Sequence, residues 1–523
     1  MMKPRYQAVV CFLFCFLLML GLQQRSGAVQ AAFDGYPDEA SHYLSGLMVH
    51  DYLVTGFPMN PHRYAINYYL HIPFFAVGYW PPLFYIVEGL WMTVVGYSRF
   101  DVLLFMALIA ALICATVFIA ARPAIGMVGA FCCAVLFLLL PDVLFNSSMV
   151  MTDTAVTLLS LWSLLVLARY FENGRWRDAV LFAFLASCTI MTKYSGLYLA
   201  LVPPLALLAG KRWDLLRRAS FWMQPVLVLA FCAPWVLYTH QYSTTGFATF
   251  VKPSFANSLL LNVRILAIAL GPWVSLLLFG AWMYQAFFLP QANALRRILW
   301  VQPVALIVFQ AAAPVCCEPR WLISALPPMI ILLAFALARL PKWYGPGLLA
   351  ATVVLTGVFS IASFRRSPDT VKPVVEAIVQ KYDKVGQSVV YVPSDEEGLM
   401  IAEFAMLDTR RPERILARPN KLLASMDWLS NNYKSDYKQP SDIEHYFDEN
   451  PPDLLILHSR APAQQYPHER MLESAVHENP KCWTLVASIS GYDIYRFAAG
   501  RNAGDAAITP LYRSRLIGRY DLQ

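Results

Sequence analysis

The octapeptide YPDEASHY, Tyr36 to Tyr43, sets Asp38 and Glu39 side by side with His42 one helical turn further on. Two carboxylates beside an imidazole can take a proton from a nucleophile or hold a cation. The same residues can simply start a helix, since proline suits the first position and acids favour the positive end of the helix dipole. Asp153 opens an apolar run in SSMVMTDTAV, Lys193 follows one in MTKYSG, and Glu318 and Arg320 precede one in CCEPRWLISALPP. Each has a plain reading: a helix-start acid, a snorkelling lysine, and an acid paired with its neighbouring arginine. A charge at the centre of a membrane helix costs about 2.5 to 3.5 kcal/mol on insertion scales, so charges set in and beside apolar runs need a reason.

The elements that must position these residues are membrane helices. Hydrophobic residues make up 58% of the 523 positions and charged residues 14%, more apolar surface than one soluble core can bury. The chain reads as a mainly α polytopic membrane protein with about eleven spans: 7–23, 101–121, 124–143, 154–171, 178–192, 195–210, 221–240, 264–285, 298–314, 321–340 and 347–363. Threaded alternately, the inner gaps collect Arg122, then Arg169, Arg175 and Arg177, then Lys211, Arg212, Arg217 and Arg218, then Arg296 and Arg297, then Arg339 and Lys342. Cytoplasmic loops carry such an excess, which accounts for the net charge of +7 without nucleic acid. The threading places the N-terminus in the cytoplasm and Asp38 outside it, as in a bacterial inner membrane. Met1–Leu22, with Lys3 and Arg5 ahead of its apolar stretch, is read as an uncleaved span in preference to a signal peptide. Counting Pro81–Val95 as a span would put the basic clusters outside, so PPLFYIVEGLWMTVV, with Glu88 inside it, is expected to lie at or dip into the outer surface.

Two parts follow: a transmembrane catalytic domain over 1–363, with a first outer loop at about 24–100, and an extracytoplasmic α/β domain over 364–523. The loop's HRYAINYYLHIPFFAVGYW is aromatic with polar tips, which suits both a membrane interface and a sugar subsite. In the second part VKPVVEAIVQKYDK reads as an amphipathic helix, SVVYVPS and DLLILHS as buried strands, WTLVASISGYDIYRF as a hairpin, and the last twenty or so residues from RNAGDAA as an irregular tail. It has no nucleotide-binding glycine motif and no nucleophile elbow, and His445, His458, His468 and His477 are scattered without ligand spacing, as surface or strand-edge residues. The cysteines form no C-x-x-C pair, so a structural zinc site finds no support in them.

Acids, two cations and many aromatics at one surface fit a ligand that is anionic at one point, sugar-like at another, and attached to a lipid, as a polyprenyl phosphate sugar is. On YPDEASHY, YWPPLFYI, MTDTAV, MTKYSG and EPRWLISALPP, in that order over most of residues 1–340, the chain resembles the GT-C glycosyltransferases of the dolichyl-phosphate-mannose protein mannosyltransferase and lipid A aminoarabinose transferase type. The resemblance implies transfer of a sugar from a polyprenyl phosphate carrier to an acceptor on the outer face, with the first-loop aspartate, here Asp38, as catalytic acid/base and Glu39 beside it. It carries Asp153 over as a second acid, and Lys193 and Arg320 as bases facing the carrier phosphate. Glu318 and His42 join them as substrate-binding candidates. Trp80 departs from the pattern, because many relatives have a basic or small polar residue before the proline pair.

No metal is required by this reading. A divalent cation is possible, since Asp38 and His42 share a helix face beside Glu39, but two ligands do not make a site. A lipid, protein or envelope-polymer acceptor fits equally. The competing class is a transporter or flippase of a lipid-linked sugar, for which inverted repeats and a midplane site are the expected marks, and neither is evident.

Overall fold

Apolar helices pack side by side in a bundle whose one end carries the acidic loop and whose other end carries the gaps with Arg212, Arg218 and Arg297. The computed structural model describes residues 3–75, 77–247, 253–313, 317–341, 343–382, 388–411, 413–425, 433–459, 465–498 and 508–517. Helix α1 (Pro4–Ser26) has proline in its first turn and ends at Gly27, whose φ of +82° lets its N–H cap the carbonyls of Gln23 and Gln24. Beyond it come α2 (Glu39–Val54), α3 (Pro61–His71) and α4 (Leu83–Val94), the last two begun by prolines. Helix α4 lies close on α2, where a Cβ on Gly89 would come within 2.7 Å of Val49. Its Glu88 is buried in this contact, while Ile86, Val87, Leu90 and Val94 face outward. An apolar outer face on a helix of 12 residues suits one resting on a membrane rather than crossing it.

Helix α5 (Arg99–Leu139) is a hairpin, turned at Gly126 with φ +74° just after Pro123. Both legs lie against α1, because Gln23 donates to the carbonyls of Leu103 (3.0 Å) and, past the second leg, Ser147 (2.8 Å). The ring of Phe14 also sits 4.9 Å from that of Phe131. The bundle continues through α6 (Pro141–Asn146), α7 (Thr152–Asn173), α8 (Trp176–Thr192), a 3-10 turn Tyr194–Leu201 leading into α9 (Val202–Gly210), α10 (Ala219–Phe247) and α11 (Phe255–Ala286). It closes with α12 (Ala294–Ala312), a 3-10 turn Pro319–Ala325 continuing as α13 (Leu326–Leu337), and α14 (Tyr344–Ser363). Among the described residues eight helical stretches are long and apolar enough to cross a membrane. The α5 hairpin supplies two legs, and the shorter α8 and Tyr194–Gly210 fall on the remaining expected spans. The protein is a multi-pass membrane protein. Helix α11 begins nine residues ahead of the expected 264 and bends at Gly271 and Pro272.

The arginine-bearing gaps meet one another. Arg212 donates to the Phe171 carbonyl and Arg218 to that of Gly174, at the end of α7 away from Asp153, and Arg297 Nη1 comes within 3.0 Å of where a Cβ on Gly210 would stand, so these gaps share the end opposite Asp38. Lys342 lies outside the described residues.

Past Ser363 the chain is mixed α/β: α15 (Lys372–Ala377), β1 (Val389–Tyr391), α16 (Glu397–Leu407), β2 (Ile415–Ala417), α17 (Pro419–Leu422), β3 (Ala424–Ser425), β4 (Lys434–Ser435), α18 (Pro440–Glu449), β5 (Leu454–His458), α19 (Pro467–Glu478), β6 (Trp483–Ile489), β7 (Tyr492–Phe497) and α20 (Pro510–Ile517). Five strands form one sheet in the order β2-β1-β5-β7-β6, with β1 parallel to β2 and β5 and the β6–β7 hairpin antiparallel. Ser490 and Gly491, at φ +51° and +86°, make the hairpin turn.

The amphipathic helix expected at VKPVVEAIVQKYDK is present as α15, continued by a wider helical turn over Ile378–Tyr382, while Asp383 and Lys384 lie outside the described residues. Two expectations need correction. The tail is not irregular throughout: RNAGDAA lies outside the described residues, but α20 is capped by Thr509 (3.1 Å to the Tyr512 N–H), buries Leu516 and Ile517, and sends the Tyr512 hydroxyl to the Leu70 carbonyl at 3.0 Å. His468 is fully buried between Ser394 (2.9 Å) and Tyr433 (3.1 Å), not at the surface.

This C-terminal unit is bolted to the first loop. Arg411 grips Asp51 through both carboxylate oxygens (2.9 and 3.2 Å), and Tyr68 donates to the same carboxylate at 2.8 Å. Arg418 reaches the Pro73 carbonyl (2.7 Å), and the Arg366 N–H that of Ser26 (2.8 Å). The unit and the loop therefore stand on the same side of the bundle.

Candidate functional site

Asp38 sits at the residue that caps α2, but its side chain makes no cap bond. Its carboxylate instead accepts from Arg320 Nη2 at 2.9 Å, across the bundle from the turn that opens α13. Arg320 Nε donates to Glu318, its guanidinium lies 4.4 Å over the Tyr36 ring, and its buried Nη1 has no hydrogen-bond partner among the described residues. The Asp38 side chain remains 29% exposed while that of Arg320 is 7% exposed, so the acid faces the open side of the pair. Burial alone would raise the Asp38 carboxyl; the charge and hydrogen bond of Arg320, with help from the Lys193 ammonium, outweigh it and hold the group below its ordinary value.

Asp153, in the first turn of α7, is buried and accepts from Lys193 Nζ at 2.7 Å through Oδ1, while Oδ2 has no hydrogen-bond partner among the described residues. Thr157, one turn along, meets Ser324 at 3.1 Å and so ties α7 to the turn that carries Arg320; Gln302 braces the Ser324 carbonyl at 3.0 Å. His42 is 3% exposed, with Nδ1 at 2.7 Å from the Tyr85 hydroxyl and its ring 4.3 Å from that of Trp80. Burial pushes its pKa down to about 3 against the pull of Asp38, so His42 is neutral under ordinary conditions.

The structure thus gathers Asp38, Arg320, Glu318, Asp153, Lys193 and His42 from four separate segments into one cluster. Glu39 belongs to a different contact. Its buried Oε1 accepts from Arg99 (2.7 Å) and the Val150 N–H (3.2 Å), and its Oε2 from the Gly35 N–H (2.7 Å) and Arg366 (3.4 Å). A carboxylate engaged at both oxygens holds the loop rather than receiving a substrate proton, which corrects its expected place beside Asp38 in the chemistry. Arg99 and Arg366, its clamps, were not singled out: one starts a helix and the other follows one, and nothing local marks either.

The first-loop trio does not form a ligand set, since Asp38, Glu39 and His42 are turned to Arg320, Arg99 and Tyr85 respectively. Among the described residues, the His/Cys/Asp/Glu group whose ligand atoms lie within 4.8 Å of one another is Asp395, Glu396 and His458, in the C-terminal unit. The cluster around Asp38 can accept a proton at a carboxylate and oppose an anion with a guanidinium and an ammonium, all at one end of the bundle.

This bundle, with a mixed α/β unit docked on its first loop, is a fold the chain shares with solved structures of low sequence identity. The sequence model of the dolichyl-phosphate-mannose-protein mannosyltransferase family matches residues 80–238. ArnT from Cupriavidus metallidurans in the apo state superposes with a TM-score of 0.60 at 14% identity over 94% of this chain and 98% of that one. The same protein bound to undecaprenyl phosphate gives 0.59 at 14% identity, over 94% and 99%. The oligosaccharyltransferase AglB from Archaeoglobus fulgidus, in complex with an inhibitory peptide and a dolichol-phosphate, gives 0.56 at 11% identity over 98% of this chain and 77% of that one. No curated protein matches the sequence significantly.

Proposed function

We propose that this protein is an integral-membrane glycosyltransferase that moves a sugar from a polyprenyl phosphate carrier to an acceptor on the extracytoplasmic side. The observation that carries the reading is the contact of Asp38 with Arg320, which puts a base and a phosphate-binding cation within one bond of each other. The structures it resembles hold undecaprenyl phosphate in one case and a dolichol-phosphate with a peptide in another, which supports a lipid-phosphate donor. The arginine-rich end is assigned to the cytoplasm and the Asp38 end to the outside, as in a bacterial inner membrane.

In this mechanism Asp38, ionised, takes the proton of an acceptor O–H or N–H as that atom forms its bond to the anomeric carbon. The bond from that carbon to the phosphate oxygen breaks on the opposite face, and the polyprenyl phosphate leaves as an anion. A single displacement inverts the anomeric centre. The leaving group is stable as an anion, so no strong acid is needed; the Arg320 guanidinium and Lys193 oppose its growing charge. Asp153 holds Lys193 in place, His42 packs behind Asp38 as a neutral ring, and Glu39 braces the loop.

The test follows the carrier itself. Purified protein incubated with a labelled polyprenyl phosphate sugar and candidate acceptors should release free polyprenyl phosphate and label an acceptor. Movement of intact carrier between leaflets of a vesicle, with the sugar still attached, would identify a transporter instead.

A further inference from the structure

We propose that the C-terminal unit binds one divalent cation, zinc by ligand type, between Asp395, Glu396 and His458. The two acids follow the carboxyl end of β1, and His458 closes β5, the parallel strand beside it. The chain leaves β1 toward β2 on one side and returns to β5 on the other. In open α/β sheets such a switch point, outside the carboxyl ends of the strands, is where ligands settle.

The spacing suits an ion. His458 Nδ1 lies 3.0 Å from Asp395 Oδ2 and 3.8 Å from Glu396 Oε2. A tetrahedral zinc with bonds of about 2.0 to 2.1 Å keeps neighbouring ligand atoms roughly 3.4 Å apart, between those two separations. The side chains are 11%, 23% and 19% exposed, shielded yet reachable. Tyr492 orients two of them, donating its hydroxyl to Glu396 and stacking at 4.4 Å on the His458 ring, as outer partners do around metal ligands. The adjoining cavity, lined by Asp395, His458, Glu469 and Glu473 among others, has a volume of about 20 Å³, which admits an ion or a water and excludes an organic ligand. One imidazole with two carboxylates favours zinc over the all-oxygen sites of calcium and magnesium, and leaves a fourth position for water.

The test uses the full chain in detergent, stripped with a chelator and titrated with zinc sulfate in a calorimeter, with elemental analysis of the product. One equivalent of zinc is expected, raising the melting temperature. His458→Ala and Asp395→Asn should each weaken binding at least about tenfold, while Asp38→Asn binds as wild type. A stripped wild-type protein that takes up no zinc overturns the proposal. So does undiminished binding in the His458→Ala/Asp395→Asn double variant, or a preference for calcium or magnesium; because the wild-type titration decides by itself, a misfolded variant does not rescue the idea.

Discussion

Asp38 and Arg320, 282 positions apart in the chain, meet at 2.9 Å where the first loop and the turn before α13 face each other. The pair fixes the pH behaviour of the site. With Asp38 held below its ordinary value and His42 pushed down to about 3, neither group changes charge near neutrality. The transfer rate per carrier encounter should therefore stay level from about pH 8 down to about pH 5. In Arg320→Ala the raising effect of burial on Asp38 is opposed only by the weaker pull of Lys193, and an acid limb should enter that range. Rate profiles of the two proteins, measured over the same buffers, check both halves; a fall near pH 6.5 in the wild type would show that another group governs the step.

Lys193 and Asp153 form the second pair, at 2.7 Å. Lys193→Ala removes a charge-assisted bond and leaves Asp153 buried beside the place proposed for the carrier phosphate. A bond to a charged group is worth about 1.5 to 3 kcal/mol, roughly a ten- to hundredfold loss in kcat/KM for the carrier. Asp153→Asn should lose less, because it frees the ammonium without adding a negative charge. Steady-state kinetics with varied carrier settle it, and equal losses in the two variants would count against a phosphate role for Lys193.

The latch between the C-terminal unit and the first loop makes a separate prediction. Arg411→Ala strands Asp51, whose carboxylate is buried among Tyr68, His50 and the missing guanidinium. Removing one partner of a buried pair costs about 3 to 5 kcal/mol, so the variant should melt well below wild type and expose the loop to proteases. An unchanged melting temperature and an intact loop would mean that docking rests on other contacts.

How much of this could be read beforehand depended on where a residue sat. Asp153, Lys193 and Arg320 stood out because charges inside or beside apolar runs are costly, and the positive gaps threaded the spans correctly enough to bring them to one end with Asp38. Glu39 misled because adjacency in sequence says nothing about direction: next to Asp38 on α2, it points to Arg99 and Arg366. The Asp51–Arg411 latch was invisible, since an acid and an arginine in polar stretches look alike whether they meet or face water. His458 and the Asp395–Glu396 pair were equally mute, being joined only by the pairing of β1 with β5. Strands with buried runs, such as Leu454–His458, and the Trp483–Phe497 hairpin showed themselves through apolar periodicity and the Ser490–Gly491 turn.

Glu403 on α16 offers a stability test. Burial first, and then the neighbouring Asp369, push its pKa up to about 9 against Arg99 and Lys372. The folded protein thus keeps a proton that the unfolded chain releases above its ordinary carboxyl range. Stability tied to that proton is full below about pH 4.5 and drains as pH climbs toward 9, by up to about 1.4 kcal/mol per pH unit. Glu403→Gln should melt higher than wild type at pH 8, by a margin that shrinks at pH 5. A margin that does not change with pH would contradict the protonated pairing.

The most direct trial of the whole account is Asp38→Asn, an exchange of nearly equal shape that removes the base. Transfer of sugar from a labelled polyprenyl phosphate carrier should fall roughly 100- to 10,000-fold while carrier binding, measured separately, stays within a few-fold of wild type. A variant that transfers at the wild-type rate would contradict the assignment of Asp38 as the group that takes the acceptor's proton.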